Sequence, residues 1–188
     1  MIEELNHRFK NTLAIVQAIA LQTLLTTDMQ GARNAIGSRL QALVRTHDVL
    51  TGERWEGAQL QDLIDEVIAP HGGADRFTCT GPPARLGPSQ AVSLALALHE
   101  LATNAVKYGG LSMPTGKVEI SWQLDPSKQA LTLRWRERGG PRVETPSKNG
   151  FGTRLLRSTF AGDGERAVAD FAWEGVTWTL ELPHVEPA

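Results

Sequence analysis

The chain has 188 residues, 41% of them hydrophobic, and a formal net charge of −2. That supplies one large core or two small ones and leaves no global basic field for nucleic acid. The single cysteine, Cys79, excludes an internal disulfide and any cysteine-cluster metal site. No apolar run reaches the roughly 18 residues of a membrane span, and Met1-Ile2-Glu3-Glu4 does not open a signal peptide, so a cytoplasmic location is expected.

From Ile2 to Thr27 there is neither Gly nor Pro, and Leu5, Phe9, Leu13, Val16, Ala20 and Leu24 recur at spacings of three and four. This pattern predicts a long amphipathic helix. Gly31 and its polar neighbours break it, and Ile36, Leu40, Leu43, His47 and Leu50 begin a second periodic run, so the two read as an antiparallel helical hairpin. A second apolar band on Ala14, Ala18, Leu21 and Leu25 exceeds what one partner helix covers, which favours a four-helix bundle made by a homodimer. His7 lies opposite the main stripe, with Glu3 and Asn11 one turn before and after it. An imidazole so placed is either an ordinary surface histidine or a nucleophile with one nitrogen held and the other able to attack.

Thr51 to Gly57 interrupts the helical period and reads as the connection between two domains, 1–52 and 53–188. A short helix from Leu60 to Ala69 stops at Pro70, a strand covers Arg76 to Thr80, and Ser89 is placed to cap a central helix. That helix carries the apolar run Ala91 to Leu98 and ends in His99-Glu100-Leu101-Ala102-Thr103-Asn104-Ala105-Val106-Lys107-Tyr108. Glu100, Asn104 and Lys107 fall at i, i+4 and i+7 and so share one edge. Such an edge suits a hard cation carrying a polyphosphate, and it also suits the polar end of a core helix stopped by Gly109-Gly110.

Two strands follow, Lys117 to Leu124 and Ala130 to Glu137, the second with Leu131, Leu133 and Trp135 on one face. Trp135-Arg136-Glu137-Arg138-Gly139-Gly140-Pro141 closes that strand, and Arg142 to Asn149 is irregular enough for a lid. Gly150-Phe151-Gly152-Thr153 is a glycine-flanked turn opening a helix, where backbone N–H groups can approach phosphate. Glu165 to Trp173 and Val176 to Leu182 form a closing hairpin in which Trp173 and Trp178 read as core. His47, His71 and His184 show no ligand spacing.

These words, in this order, resemble the boxes of one family. His99-Glu100 through Lys107-Tyr108 resembles the N-box of the histidine-kinase ATP-binding domain, and the His directly before the Glu resembles the HWE subfamily of bacterial sensor histidine kinases. Leu5-Asn6-His7-Arg8-Phe9-Lys10-Asn11 resembles that subfamily's H-box, Trp135 and Glu137 with Gly139-Gly140-Pro141 its second signature, and Gly150 to Thr153 the G2 box.

The resemblance implies an α+β chain: the hairpin followed by an α/β-sandwich, Bergerat-type ATP-binding domain of the GHKL class. It implies His7 as phosphoacceptor supported by Arg8 and Asn11, with Glu3 as candidate base because Arg8 stands where the commonest kinases have an acidic residue. It implies Asn104 on Mg2+, Glu100 orienting water or the nucleophile, and ATP held by His99, Lys107, Tyr108, Trp135, Glu137, Gly139, Gly140, Gly150, Phe151, Gly152 and Thr153. Glu137 replaces the usual adenine-binding Asp. The implied activity is transfer of the ATP γ-phosphoryl group to His7 and then to an aspartate in the receiver domain of a response regulator. The rival readings are a phosphotransfer protein with a degenerate nucleotide site and a GHKL-type ATPase or serine kinase. Only a few residues precede His7, so a sensor domain is expected in cis, if the chain is a fragment, or in trans.

Overall fold

The computed structural model describes residues 57–143 apart from 73, 74, 126 and 128, residues 166–188, and singly Gly37, Leu156 and Phe160. The predicted helical hairpin, with Glu3, His7, Arg8 and Asn11, therefore lies outside the described residues, as does the turn Gly150 to Thr153.

Strand β1 (Ala58–Gln59) runs straight into helix α1 (Leu60–Ile68), whose Leu60, Leu63, Ile64, Val67 and Ile68 recur at helical spacing and are all buried. Pro70 cannot continue the helical hydrogen-bond ladder, and α1 gives way to a 3-10 turn at Ala69–His71. Strands β2 (Phe77–Thr80) and β3 (Ala84–Leu86) lead to helix α2 (Pro88–Lys107), the central element. Ser89 does not cap α2. The chain enters through Gly87, whose N–H donates to the Gln90 side chain at 3.1 Å, and Pro88 fills the first helical position, where a missing N–H costs nothing.

After a second 3-10 turn at Gly110–Ser112 come β4 (Lys117–Asp125), β5 (Ala130–Arg138), β6 (Arg166–Ala172), β7 (Gly175–Pro183) and β8 (Glu186–Pro187). The main sheet has the order β2-β4-β5-β7-β6, parallel between β2 and β4 and antiparallel elsewhere. Its inward residues, Val118, Ile120 and Trp122 on β4, Leu131, Leu133 and Trp135 on β5, and Trp178, Leu180 and Leu182 on β7, pack with α1 and α2 into one core. The alternate residues Thr132, Arg134 and Arg136 face solvent. The architecture is thus a mixed α+β fold with both helices on one face of the sheet. A second sheet, β1-β3-β8, escaped prediction because strands of two or three residues carry no periodicity.

Trp173 also departs from expectation. It is 63% exposed at the tip of the β6–β7 hairpin, where the Arg142 guanidinium lies 4.5 Å from its ring centroid. Cys79 is half-buried, and burial, helped by the Asp65 charge, pushes its thiol up to about 11, so it is no nucleophile at neutral pH.

Arg76, just before β2, fastens the loop that follows α2. Its Nε donates to the Gly116 carbonyl at 2.7 Å, and its Nη2 donates to those of Met113 at 2.7 Å and Leu111 at 3.4 Å. Arg76→Ala is expected to lower stability by about 1–2 kcal/mol, with Arg76→Lys recovering little because an ammonium cannot reproduce the guanidinium fork. Urea unfolding of the three proteins checks this, and a wild-type midpoint for the alanine variant would refute it.

Candidate functional site

The C-terminal third of α2 passes from core to solvent along one edge. Glu100 is 6% exposed, Asn104 half-buried and Lys107 exposed, and Tyr108 follows with 73% of its surface open. An 8-residue reach of a single helix therefore offers a carboxylate, an amide and an ammonium at increasing distance from the core. His99, beside Glu100 but on the next face, is 7% exposed.

The helix does not stop on a left-handed glycine. Tyr108 N–H donates to the Asn104 carbonyl at 2.8 Å, and Gly109, with φ of −109°, donates to the carbonyls of Asn104 and Ala105 at 3.1 Å. The next amide is taken from outside the helix: Gly110 N–H donates to Glu137 Oε2 at 2.7 Å. The Gly110 N–H, which a Schellman-type stop would return to a helix carbonyl, is committed instead to a side chain from β5.

Period-2 alternation explains how Glu137 gets there. It stands two residues after Trp135 on the inward face of β5, opposite Val118 of β4. The Trp135 indole is wholly enclosed, and its Nε1–H donates to Glu137 Oε1 at 3.2 Å. Both carboxylate oxygens therefore have a fixed donor. Burial raises the Glu137 pKa above its ordinary 4.5, while the bonds from Gly110 and Trp135 oppose that rise.

The backbone closes tightly around this carboxylate. Gly139 has φ of +68°, which favours glycine, and turns the chain at the end of β5. Gly140 is pressed against the helix end so closely that a methyl group there would sit 2.9 Å from backbone atoms of Gly109 and Gly110.

Of the predicted site residues, the fold brings together two groups: His99, Glu100, Asn104, Lys107 and Tyr108 on α2 and its end, and Trp135, Glu137, Gly139 and Gly140 at the end of β5. Glu137 joins them. Trp135 was expected to touch a nucleotide directly, but its enclosed ring can act only through Glu137. Sequence reasoning missed Gly110, which sits two residues past the motif, and His71, whose Nε2 lies 3.3 Å from His99 Nδ1. No local pattern signalled either, because each is met by a side chain from a distant segment.

A sequence model of the HWE histidine kinase family matches residues 4–83. The blue-light-activated histidine kinase of Brucella anthropi is 43% identical over 187 residues, covering 96% of this chain. The chain belongs to the HWE histidine kinase family. The corresponding protein of Brucella ovis is likewise 43% identical, over 186 residues, and this HWE-family chain spans about 38% of the length of both relatives. Among solved structures, the blue-light activated histidine kinase of Erythrobacter litoralis superposes with a TM-score of 0.67 at 17% identity over 92% of this chain and 58% of that one. Its histidine kinase domain alone gives 0.62 at 14% identity, over 93% and 94%. At these identities the likeness establishes a common fold.

Proposed function

We propose that this HWE-family chain is a protein-histidine kinase core: it transfers the γ-phosphoryl group of ATP to a ring nitrogen of His7, releasing ADP, and passes the group to an aspartate of a response-regulator receiver domain. The observation that carries the reading is the joint between Glu137 and Gly110, which sets a buried acceptor beside the graded polar edge of α2. A carboxylate there can accept from the adenine amino group while the helix edge meets the phosphates.

In this reading residues 53–188 are a Bergerat-type nucleotide-binding domain and residues 1–52 a dimerising hairpin that presents His7, with Arg8 and Asn11 beside it and Glu3 as base. Bound Mg-ATP supplies the phosphoryl group. The Asn104 amide oxygen fits a hard cation that prefers oxygen ligands and keeps several waters, and no cluster of three or more His, Cys, Asp or Glu side chains offers a rival metal site among the described residues. Glu100 orients the reacting groups, while Lys107 and the Gly150, Phe151, Gly152 and Thr153 backbone neutralise phosphate charge. Tyr108 flanks the base, and Gly139 and Gly140 shape its site by letting the end of β5 close on the end of α2 and the loop after it. These residues act mainly by positioning and charge neutralisation. A sensor in cis or in trans sets the activity, and the cytoplasm is the compartment that holds ATP and receiver domains. No helix among the described residues is long and apolar enough to cross a membrane.

The test is incubation of the full chain with γ-labelled Mg-ATP beside His7→Ala and Asn104→Ala. Base-stable, acid-labile label is expected on wild type, none on His7→Ala, and at least about a hundredfold less on Asn104→Ala. Acid-stable label would transfer the reading to a serine kinase, and label accepted only from a phosphorylated regulator would make the chain a phosphotransfer protein.

A further inference from the structure

His99 precedes Glu100 on α2 and is almost entirely enclosed, so its imidazole needs a fixed polar partner to be tolerated there. One partner comes from 28 residues away. His71 Nε2 lies 3.3 Å from His99 Nδ1, the ring centroids are 5.2 Å apart, and the planes meet at 61°, edge to face. His71 is delivered rigidly: α1 is anchored in the core through Leu63, Ile64 and Val67, and Pro70 fixes the backbone of the short turn that ends at His71.

The geometry points to His71 as a positioning residue of the nucleotide site, acting through His99 by fixing its ring rotation and its tautomer. An N–H···N bond needs one donor and one acceptor, so the state of one facing nitrogen dictates the other. With His71 Nε2–H donating, His99 Nδ1 accepts and its hydrogen sits on Nε2. That arrangement is the one the proposed phosphate ligand favours, since it leaves His99 an N–H to donate. The reverse arrangement turns a bare lone pair toward negative charge. The assignment rests on the kinase reading above and adds to it a residue outside all the sequence boxes.

A double-mutant cycle on the full chain tests it, with Kd for a non-hydrolysable Mg-ATP analogue and KM and kcat for autophosphorylation as readouts. His71→Phe keeps the ring and removes the nitrogen; it is expected to raise Kd and KM about five- to tenfold with kcat within about twofold. His71→Gln, which returns an amide nitrogen near the lost Nε2, is expected to restore both to within about twofold of wild type. In a His99→Ala background His71→Phe is expected to change nothing further. In wild type, 15N shifts of the His99 ring are expected to report the neutral tautomer protonated on Nε2, a measurement that needs no variant to fold. The assignment is overturned if the two single effects multiply in the double variant, if His99→Ala or His71→Phe binds nucleotide as wild type does, or if His99 is a tautomer mixture. Failure of the kinase reading looks different: wild type itself then binds no nucleotide.

Discussion

Gly109→Ala is expected to weaken nucleotide binding by at least about a hundredfold and to lower stability by about 2–3 kcal/mol while the chain still folds. The reason is contact and not a left-handed backbone, since φ of −109° lies outside the positive range that favours glycine. The new methyl group falls on Glu137 Oε2, lies 2.8 Å from its Cδ, and meets the Ala105 Cα at 3.0 Å. An exposed glutamate would swing aside at little cost. This one is enclosed by the core and held at both oxygens, so moving it strands the Gly110 N–H and the Trp135 indole N–H without acceptors in a buried place. The helix end and the carboxylate then shift together, and the proposed base-binding and phosphate-binding halves of the site lose their alignment. Titration with a Mg-ATP analogue and a thermal melt measure the two effects. Gly87→Ala, whose methyl meets nothing nearer than 3.5 Å, is the control and is expected to bind as wild type does. Wild-type affinity for Gly109→Ala would remove the joint from the account.

Glu137→Gln changes charge without changing shape, and its expected effects are on selectivity and on pH dependence. The amide offers one acceptor where the site presents two donors, so an N–H group must face either Gly110 or Trp135. An adenine amino group loses its carboxylate acceptor, whereas the carbonyl of guanine gains an amide donor. The preference for ATP over GTP is therefore expected to fall by about tenfold or more, measured as the ratio of the two Kd values. Burial raises the wild-type group above its ordinary 4.5. Between that value and its raised pKa the folded protein keeps a proton that the unfolded chain has released, so the contribution of Glu137 to stability falls as pH rises and levels off once the folded group ionises too. Glutamine has no such titration. The wild-type minus variant stability difference is thus expected to decline with rising pH through that window and to be flat above it. A difference that grows with pH there would mean that the hydrogen bonds outweigh burial.

Much of this arrangement is legible in the sequence. The alternation of Leu131, Leu133 and Trp135 fixed the face of β5, and counting two further residues puts Glu137 on the same face. Helical spacing put Glu100, Asn104 and Lys107 on one edge. Those are local periodicities, and local periodicity survives in sequence. What could not be read depends on pairings between distant segments. Nothing near residue 109 says that residue 140 presses on it, nor does a lone histidine after Pro70 announce that a buried imidazole awaits it. Ser89 misled for a related reason: serine is a good cap in general, but Pro88 already occupied the first turn, and the Gln90 side chain reached back to Gly87 instead. Trp173 misled because a large aromatic in a strand pattern suggests core, whereas a hairpin tip leaves it outside, stacked under Arg142.

The small sheet β1-β3-β8 has a mechanical meaning. Ala58 pairs with Leu86 and Gln59 with Arg85, while Ala84 pairs with Pro187 and Arg85 with Glu186, so β3 clamps the first and last strands of the described domain side by side, about 10 Å apart. Tension applied between residues 57 and 188 is carried across this clasp and bypasses the five-stranded sheet. With two paired residues on each side of β3, the clasp is the weaker connection and is expected to yield before the joint between β5 and the end of α2 is loaded. The same proximity makes the domain a candidate for circular permutation: a short glycine-rich bridge between these strands, with new termini opened in the turn between β4 and β5, leaves every pairing of the main sheet in place.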